Sequence, residues 1–290
     1  MTKIIKNISE ILNFYEVYIL DQWGVMHDGY KGYDHAIKAV KKLIKLDKKL
    51  IIVSNSSRRN EDSSKNLSKY KYDKNDFITI MTSGEMIWKE LSENIEKYEF
   101  KHNNCYHIYD KNIEGGLNFR QGLKNFNFVE DISKADFILA CTPFYNSKPL
   151  DYVPLLKQAI DLKLVFFCAN PDYISPSIVN GEYPFCMGTI ADLYKNMGGH
   201  VIILGKPNKS IYIKATEKIN NLDLKKCVTI GDSLHHDIQG AQNFGIDSIL
   251  ISSGIHSNLF KSSLEQGLLS MNNSKKYPAK PTYICDKFSF

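Results

Sequence analysis

The chain has 290 residues, 43% of them hydrophobic and 24% charged, values that suit a globular protein of about two domains and exclude a disordered or collagen-like chain. Lys and Arg exceed Asp and Glu by 37 to 32, but the lysines are spread out and not interleaved with aromatic residues, so no nucleic-acid partner is expected. No apolar run is long enough for a transmembrane helix, the first residues lack a secretory signal, and the six cysteines form no Cys-x-x-Cys pair; the expectation is a cytoplasmic protein without a membrane partner.

In chain order, Val17–Leu20 reads as a short apolar strand ending at Asp21. His35–Leu46 places Ile37, Val40 and Ile44 at the spacing of one buried helix face. Leu50–Val53 is the next strand, closed by Ser54-Asn55-Ser56-Ser57. Phe77–Met81 follows, and Thr82-Ser83-Gly84-Glu85 leads into a helix whose Met86, Ile87, Trp88 and Leu91 are expected in the core. This βαβαβ order predicts a parallel sheet with right-handed crossovers. The rhythm restarts with strands at Cys105–Tyr109, Phe137–Cys141 and Leu164–Cys168, and a helix at Val153–Leu162. Val201–Leu204, a helix after Pro207, Cys227–Ile230, a helix at Asp237–Phe244 with Asp237 as its N-cap, and Ser248–Ile251 come next. Ser270–Pro281 reads as a loop before a last strand at Thr282–Cys285. These strands are too many for one small sheet, and sequence order alone does not say which of them pair.

In open parallel sheets ligands bind beyond the carboxyl ends of the strands. Four strand ends here carry chemistry: Asp21, Ser54-Asn55, Gly205-Lys206-Pro207, and Gly231-Asp232 with Asp237 five residues on. Each has a plain explanation when taken singly, as a turn cap or a solvated lysine. Together, three carboxylates, a lysine and a hydroxyl would converge on one crevice. Clustered carboxylates repel unless a cation joins them, and oxygen-only ligands select a hard ion such as Mg²⁺. With an ammonium and a hydroxyl, these are the parts that hold and attack a phosphoryl group.

These four sites resemble motifs I to IV of the haloacid-dehalogenase superfamily, specifically its class IIA branch of nitrophenyl-, sugar-, pyridoxal- and phosphoglycolate-phosphatase types. Asp21-x-x-Gly24-Val25-x-x-x-Gly29 is similar to motif I and Val53-Ser54-Asn55-Ser56-Ser57-Arg58 to motif II. Gly205-Lys206-Pro207 is similar to motif III, and Gly231-Asp232 through Gly240-Ala241 to motif IV. Thr82-Ser83-Gly84-Glu85, Ala169-Asn170-Pro171-Asp172 and Met187-Gly188-Thr189 resemble segments of the class IIA cap. The resemblance implies an α/β fold, a Rossmann-like parallel-sheet core interrupted by an inserted α/β cap: core residues 1–82, cap residues 83–199, core residues 200–290. It implies Asp21 as the nucleophile that forms an aspartyl-phosphate, Lys206 as the residue that neutralises charge beside it, and Ser54 and Asn55 at the phosphoryl group. Asp21, the Trp23 carbonyl, Asp232 and Asp237 would form the Mg²⁺ site, with Asp237 orienting the ion's water or Lys206. Asp172 would fasten a substrate-specificity loop. The implied partner is a small phosphorylated metabolite, and the implied assembly is a homodimer.

One position departs from the family pattern. Its phosphatases carry a second aspartate two residues after the nucleophile, which protonates the leaving oxygen; here that residue is Trp23. An indole N–H donates a hydrogen bond but gives up no proton, and loss of acid–base assistance costs ~10²–10⁴ in rate. Trp23 also reads as a flat wall for a ring-bearing ligand. His27, Asp28, His235, His236 and Asp172 are the candidate substitutes. Two functions of different class remain: a Mg²⁺-dependent phosphatase that favours good leaving groups, and a catalytically weak protein that binds a phosphometabolite as a sensor or carrier. A carbon–halogen hydrolase ranks last, because Asp232 and Asp237 are retained.

Overall fold

The computed structural model describes residues 2–112, 116–175 and 184–290; parts of the expected cap, residues 113–115 and 176–183, lie outside them. Its elements in chain order are β1 (Lys3–Ile4), β2 (Val17–Leu20), α1 (Asp34–Lys45), β3 (Lys49–Ser54), α2 (Asn60–Leu67), β4 (Thr79–Thr82) and α3 (Ser83–Asn94). Then come β5 (Asn104–Ile108), β6 (Asn127–Val129), β7 (Phe137–Ala140), α4 (Val153–Asp161), β8 (Val165–Cys168), α5 (Met187–Asn196) and β9 (His200–Ile203). The chain closes with α6 (Lys209–Thr216), β10 (Cys227–Gly231), α7 (Gln239–Phe244), β11 (Asp247–Ile251), α8 (Leu264–Asn273) and β12 (Tyr283–Cys285). The described residues fall into two compact units: Met1–Ser54 with Ser63–Met81 and Lys206–Phe290, and Asn55–Asp62 with Thr82–Gly205.

Among the described residues the first unit holds a sheet in the order β1-β12-β11-β10-β2-β3-β4, and the pairs flanking β2 run parallel. β2 is the central strand because it is apolar on both faces: Tyr18, Ile19 and Leu20 have no exposed surface, each such burial contributing ~1.5–3 kcal/mol. α1 lays Ala36, Ile37, Ala39, Val40 and Leu43 on this core and leaves its lysines in solvent. From β2 the chain winds to β3 and β4 on one side, and returns later to β10, β11 and β12 on the other. The switch point therefore lies between β2 and β10, at whose carboxyl ends stand Asp21 and Asp232.

The second unit holds a sheet in the order β6-β5-β7-β8-β9, with parallel pairs. One face packs Leu156, Ala159, Ile190 and Tyr194 of α4 and α5, the other Ile87 and Leu91 of α3. The strand expected at 201–204, set with the carboxy-terminal core by a boundary at 200, pairs instead with β8, Val165 opposite His200 through Cys168 opposite Ile203. Its apolar run suits either sheet; the ladder decides. β1 and β6 lacked any periodic signal, being two and three residues long. The region expected as a loop from Ser270 still carries the end of α8. Asp237 is not an N-cap: a π-turn at Leu234–Ile238 precedes α7, and Ser233 caps it by accepting from the His236 N–H. π-turns of this kind recur at functional sites.

Candidate active site

Asp21 follows β2 directly, its own N–H donating to the Ile230 carbonyl of β10 at 2.9 Å, so the two central strands fix its backbone. Lys206 Nζ donates to Asp21 Oδ1 at 2.6 Å and to Asp237 Oδ1 at 2.7 Å. The far side of Asp237 accepts from the Ser233 N–H at 3.1 Å. Asp232 Oδ2 accepts from the Ile255 N–H at 2.9 Å, a contact from a loop that nothing in the sequence pointed to. Asp21, Asp232 and Asp237 each bring a carboxylate oxygen within 4.8 Å of the others'. All are buried: Asp21 is 8% exposed, Asp232 4%, Asp237 1% and Lys206 2%.

Three carboxylates against one ammonium leave this buried cluster anionic. Burial first, then the neighbouring charges of Asp21 and Asp237, push the Asp232 carboxyl well above its usual range. A divalent cation is the partner that relieves this, and oxygen-only donors are what a hard cation takes. Gly24 sits so close on the Asp232 carboxylate that any side chain there would overlap it, which brings the Trp23–Gly24 backbone beside the cluster. Ser54 ends β3 at the same end of the sheet, since Leu20 lies opposite Ile52, and it is 6% exposed. Four of the expected groups thus form one cluster, with Ser54 on the adjacent strand.

Asn55 and Asp172 belong to the second unit, where Asn55 Nδ2 donates to Asp172 Oδ1 at 2.8 Å. The Trp23 indole stands edge-on to His27 at 5.5 Å, and His27 stacks on Tyr70 at 3.9 Å. His27 Nδ1 accepts from the Gly29 N–H, and the Tyr70 hydroxyl donates to the Gly29 carbonyl. Tyr70 and Tyr72, which fasten this loop at Gly29 and Met26, were not singled out in the sequence because they come from a distant segment. The other candidate proton donors are also engaged. Asp28 takes the N–H groups of Tyr30 and Lys31, His236 Nδ1 pairs with Ser233 Oγ, and the His235 ring lies 5.0 Å from Tyr277.

Gly29 shows what Trp23 demands. Its φ is +89°, and an added Cβ would lie 2.5 Å from Trp23 Cζ2. Gly29→Ala is expected to lower stability by ~1–3 kcal/mol, measured by urea unfolding. Adding Trp23→Ala should recover only the overlap, not the strain of a positive φ. An unchanged midpoint in Gly29→Ala would disprove this packing.

One family model, described as HAD-hydrolase-like, matches residues 203–289, and another, described as haloacid dehalogenase-like hydrolase, matches residues 18–119. A solved hydrolase of the haloacid dehalogenase-like family from Brucella suis is 25% identical, with a TM-score of 0.81 over 98% of this chain and 99% of that one. The chain belongs to the haloacid dehalogenase-like hydrolase family. A possible sugar phosphatase of that superfamily from Cytophaga hutchinsonii shares the fold at 18% identity, with a TM-score of 0.76 over 100% of this chain and 99% of that one. A curated dihydroxyacetone phosphatase from Corynebacterium glutamicum is 25% identical over 124 residues, which span 43% of this chain and 40% of that protein. In this haloacid dehalogenase-like chain, no described helix is long and apolar enough to cross a membrane.

Proposed function

We propose that the protein is a Mg²⁺-dependent phosphatase of the class IIA branch, acting on a small phosphorylated metabolite. The observation that carries the reading is the buried cluster of Asp21, Asp232 and Asp237, with Lys206 bonded to the first and last. The second unit, Thr82–Gly205 with Asn55–Asp62, is read as the inserted cap in place of the expected 83–199, and Asn55 and Asp172 as residues that recognise substrate. Asp21, the Trp23 carbonyl, Asp232 and Asp237 would hold the ion, which supplies positive charge against the phosphoryl oxygens. Asp21 carries the covalent chemistry. One of its carboxylate oxygens attacks phosphorus, the bond to the leaving oxygen breaks, and the leaving group departs with that electron pair as an oxyanion. Lys206 holds Asp21 through a bond to Oδ1 at 2.6 Å, and its charge favours the dianionic phosphoryl group. Ser54 donates its hydroxyl to a phosphoryl oxygen. Water then attacks the phosphorus of the aspartyl-phosphate, releasing inorganic phosphate and restoring the carboxylate.

Trp23 sets the preference. Without an acid at this position, leaving oxyanions that are stable unprotonated are favoured, such as aryl or acyl phosphates over alkyl phosphates. Purified protein with Mg²⁺ should therefore release nitrophenol from nitrophenyl phosphate well above its rate on an alkyl phosphate. Trp23→Asp should raise alkyl-phosphate turnover by ~10²-fold relative to nitrophenyl phosphate, whereas Trp23→Asn should not. If Trp23→Asp gains nothing on alkyl esters, proton supply was not the bottleneck. The same residue supports the second reading, a weakly catalytic phosphometabolite sensor, which predicts vanadate binding without turnover of either ester.

A further inference from the structure

β3 ends at Ser54, yet the next eight residues, Asn55–Asp62, group with the second unit and not with the strand they follow. They are bolted to the start of α3. The Thr82 hydroxyl donates to the Arg58 carbonyl at 2.6 Å and the Thr82 N–H to Asn60 Oδ1 at 3.1 Å. The Gly84 N–H donates to the Ser56 carbonyl at 2.9 Å, and Gly84 lies so near the Ser57 carbonyl that a side chain there would overlap it. The centre of the clamp is Glu85. Its carboxylate accepts from Arg59 Nε at 2.7 Å, from Arg59 Nη2 at 3.4 Å and from the Asn60 N–H at 3.1 Å. The Arg59 guanidinium also lies over the Trp88 ring at 3.6 Å. Trp88 Nε1 donates to the Gln121 carbonyl at 3.0 Å, and Arg59 Nη1 donates to it at 3.4 Å.

The pair is largely shielded, the Arg59 side chain 20% and the Glu85 side chain 9% exposed, so removing either partner costs stability as well. Beyond that, a forked, stacked guanidinium fixes geometry. The group it fixes is four residues away. Asn55 is 2% exposed, and its carboxamide bonds Asp172. Asp172 is anchored at its own end, its N–H donating to Asn170 Oδ1 at 3.2 Å and its carbonyl accepting from the Gly188 N–H at 3.0 Å. The Asn55–Asp172 pair is therefore held from both sides, by α5 at one end and by the Arg59–Glu85 clamp at the other.

We infer that Arg59 and Glu85 are positioning residues, which set the place of Asn55 and so of the Asn55–Asp172 pair for substrate recognition. The inference deepens the phosphatase reading and rests on it. The test uses the full chain with Mg²⁺ and nitrophenyl phosphate. Glu85→Gln and Arg59→Met should each raise KM by ~10-fold, with a much smaller change in kcat. Arg59→Lys, which keeps the charge and loses the fork, should fall between. Adding either change to Asn55→Ala should raise KM no further than Asn55→Ala alone, because the group being positioned is gone. The side-chain amide resonances of Asn55, assigned by their loss in Asn55→Ala, should shift in folded Glu85→Gln without any substrate present. Full additivity with Asn55→Ala, or unmoved Asn55 resonances, would overturn the inference while leaving an active wild-type enzyme. Wild-type protein that does not turn over the ester, whether or not it binds vanadate, would overturn the phosphatase reading, and the clamp's role with it.

Discussion

Asp21→Asn is expected to lower the release of phosphate from nitrophenyl phosphate by more than ~10³-fold, because the carboxylate is assigned the covalent step and no other group makes that bond. The substitution preserves shape. The carboxamide can still accept from Lys206 Nζ, now bonded to Asp21 Oδ1 at 2.6 Å, and the backbone bond to Ile230 is untouched. The loss should therefore appear in kcat rather than in folding. Circular dichroism spectra that match folded wild type, with single-turnover assays showing no acid-stable phosphoenzyme, complete the measurement. Activity within tenfold of wild type would mean that another residue is the nucleophile.

Lys206→Met carries the second large effect, this time on stability. Lys206 is 2% exposed and joins Asp21 to Asp237 by bonds of 2.6 and 2.7 Å. Removing its charge leaves three buried carboxylates within 4.8 Å of one another. Breaking a buried pair by deleting one partner costs roughly 3–5 kcal/mol, and here the like charges that remain add to the cost. Urea unfolding in chelator should show a loss of that size. A divalent cation that binds only the folded state stabilises it by about 2.7 kcal/mol at 100 times its Kd. The rise in midpoint with added Mg²⁺ should therefore be larger in Lys206→Met than in wild type, where the ammonium already answers part of the charge. A variant as stable as wild type in chelator would show that the carboxylates are not mutually repelling.

The cluster was legible because parallel strands deliver their last residues to one edge of a sheet. Asp21, Ser54 and Asp232 each follow an apolar run that could only be a buried strand, so their convergence followed from the topology rule. Lys206 was legible through its Gly-Lys-Pro setting, but not which carboxylates it would bridge. Trp23 was legible as a missing acid. That its indole would stand against His27 and Gly29 was not, because Tyr70 and Tyr72, which fasten the loop, come from more than forty residues on. Arg59 carries no sequence signal that sets it apart from the other basic residues, and its meaning depends on Glu85, Trp88 and Gln121, none of them its neighbours in sequence.

By itself the amino-acid order determined the α/β class, the two-unit character and the acidic residues at the strand ends. These follow from short-range causes, the period of apolar residues and the turn chemistry that ends each run. Only the tertiary structure decided that β9 pairs with β8, that Asn55–Asp62 groups with the second unit, and that one ammonium serves two carboxylates. Those outcomes turn on which of several chemically acceptable partners comes within hydrogen-bonding distance, and that depends on the whole chain having folded.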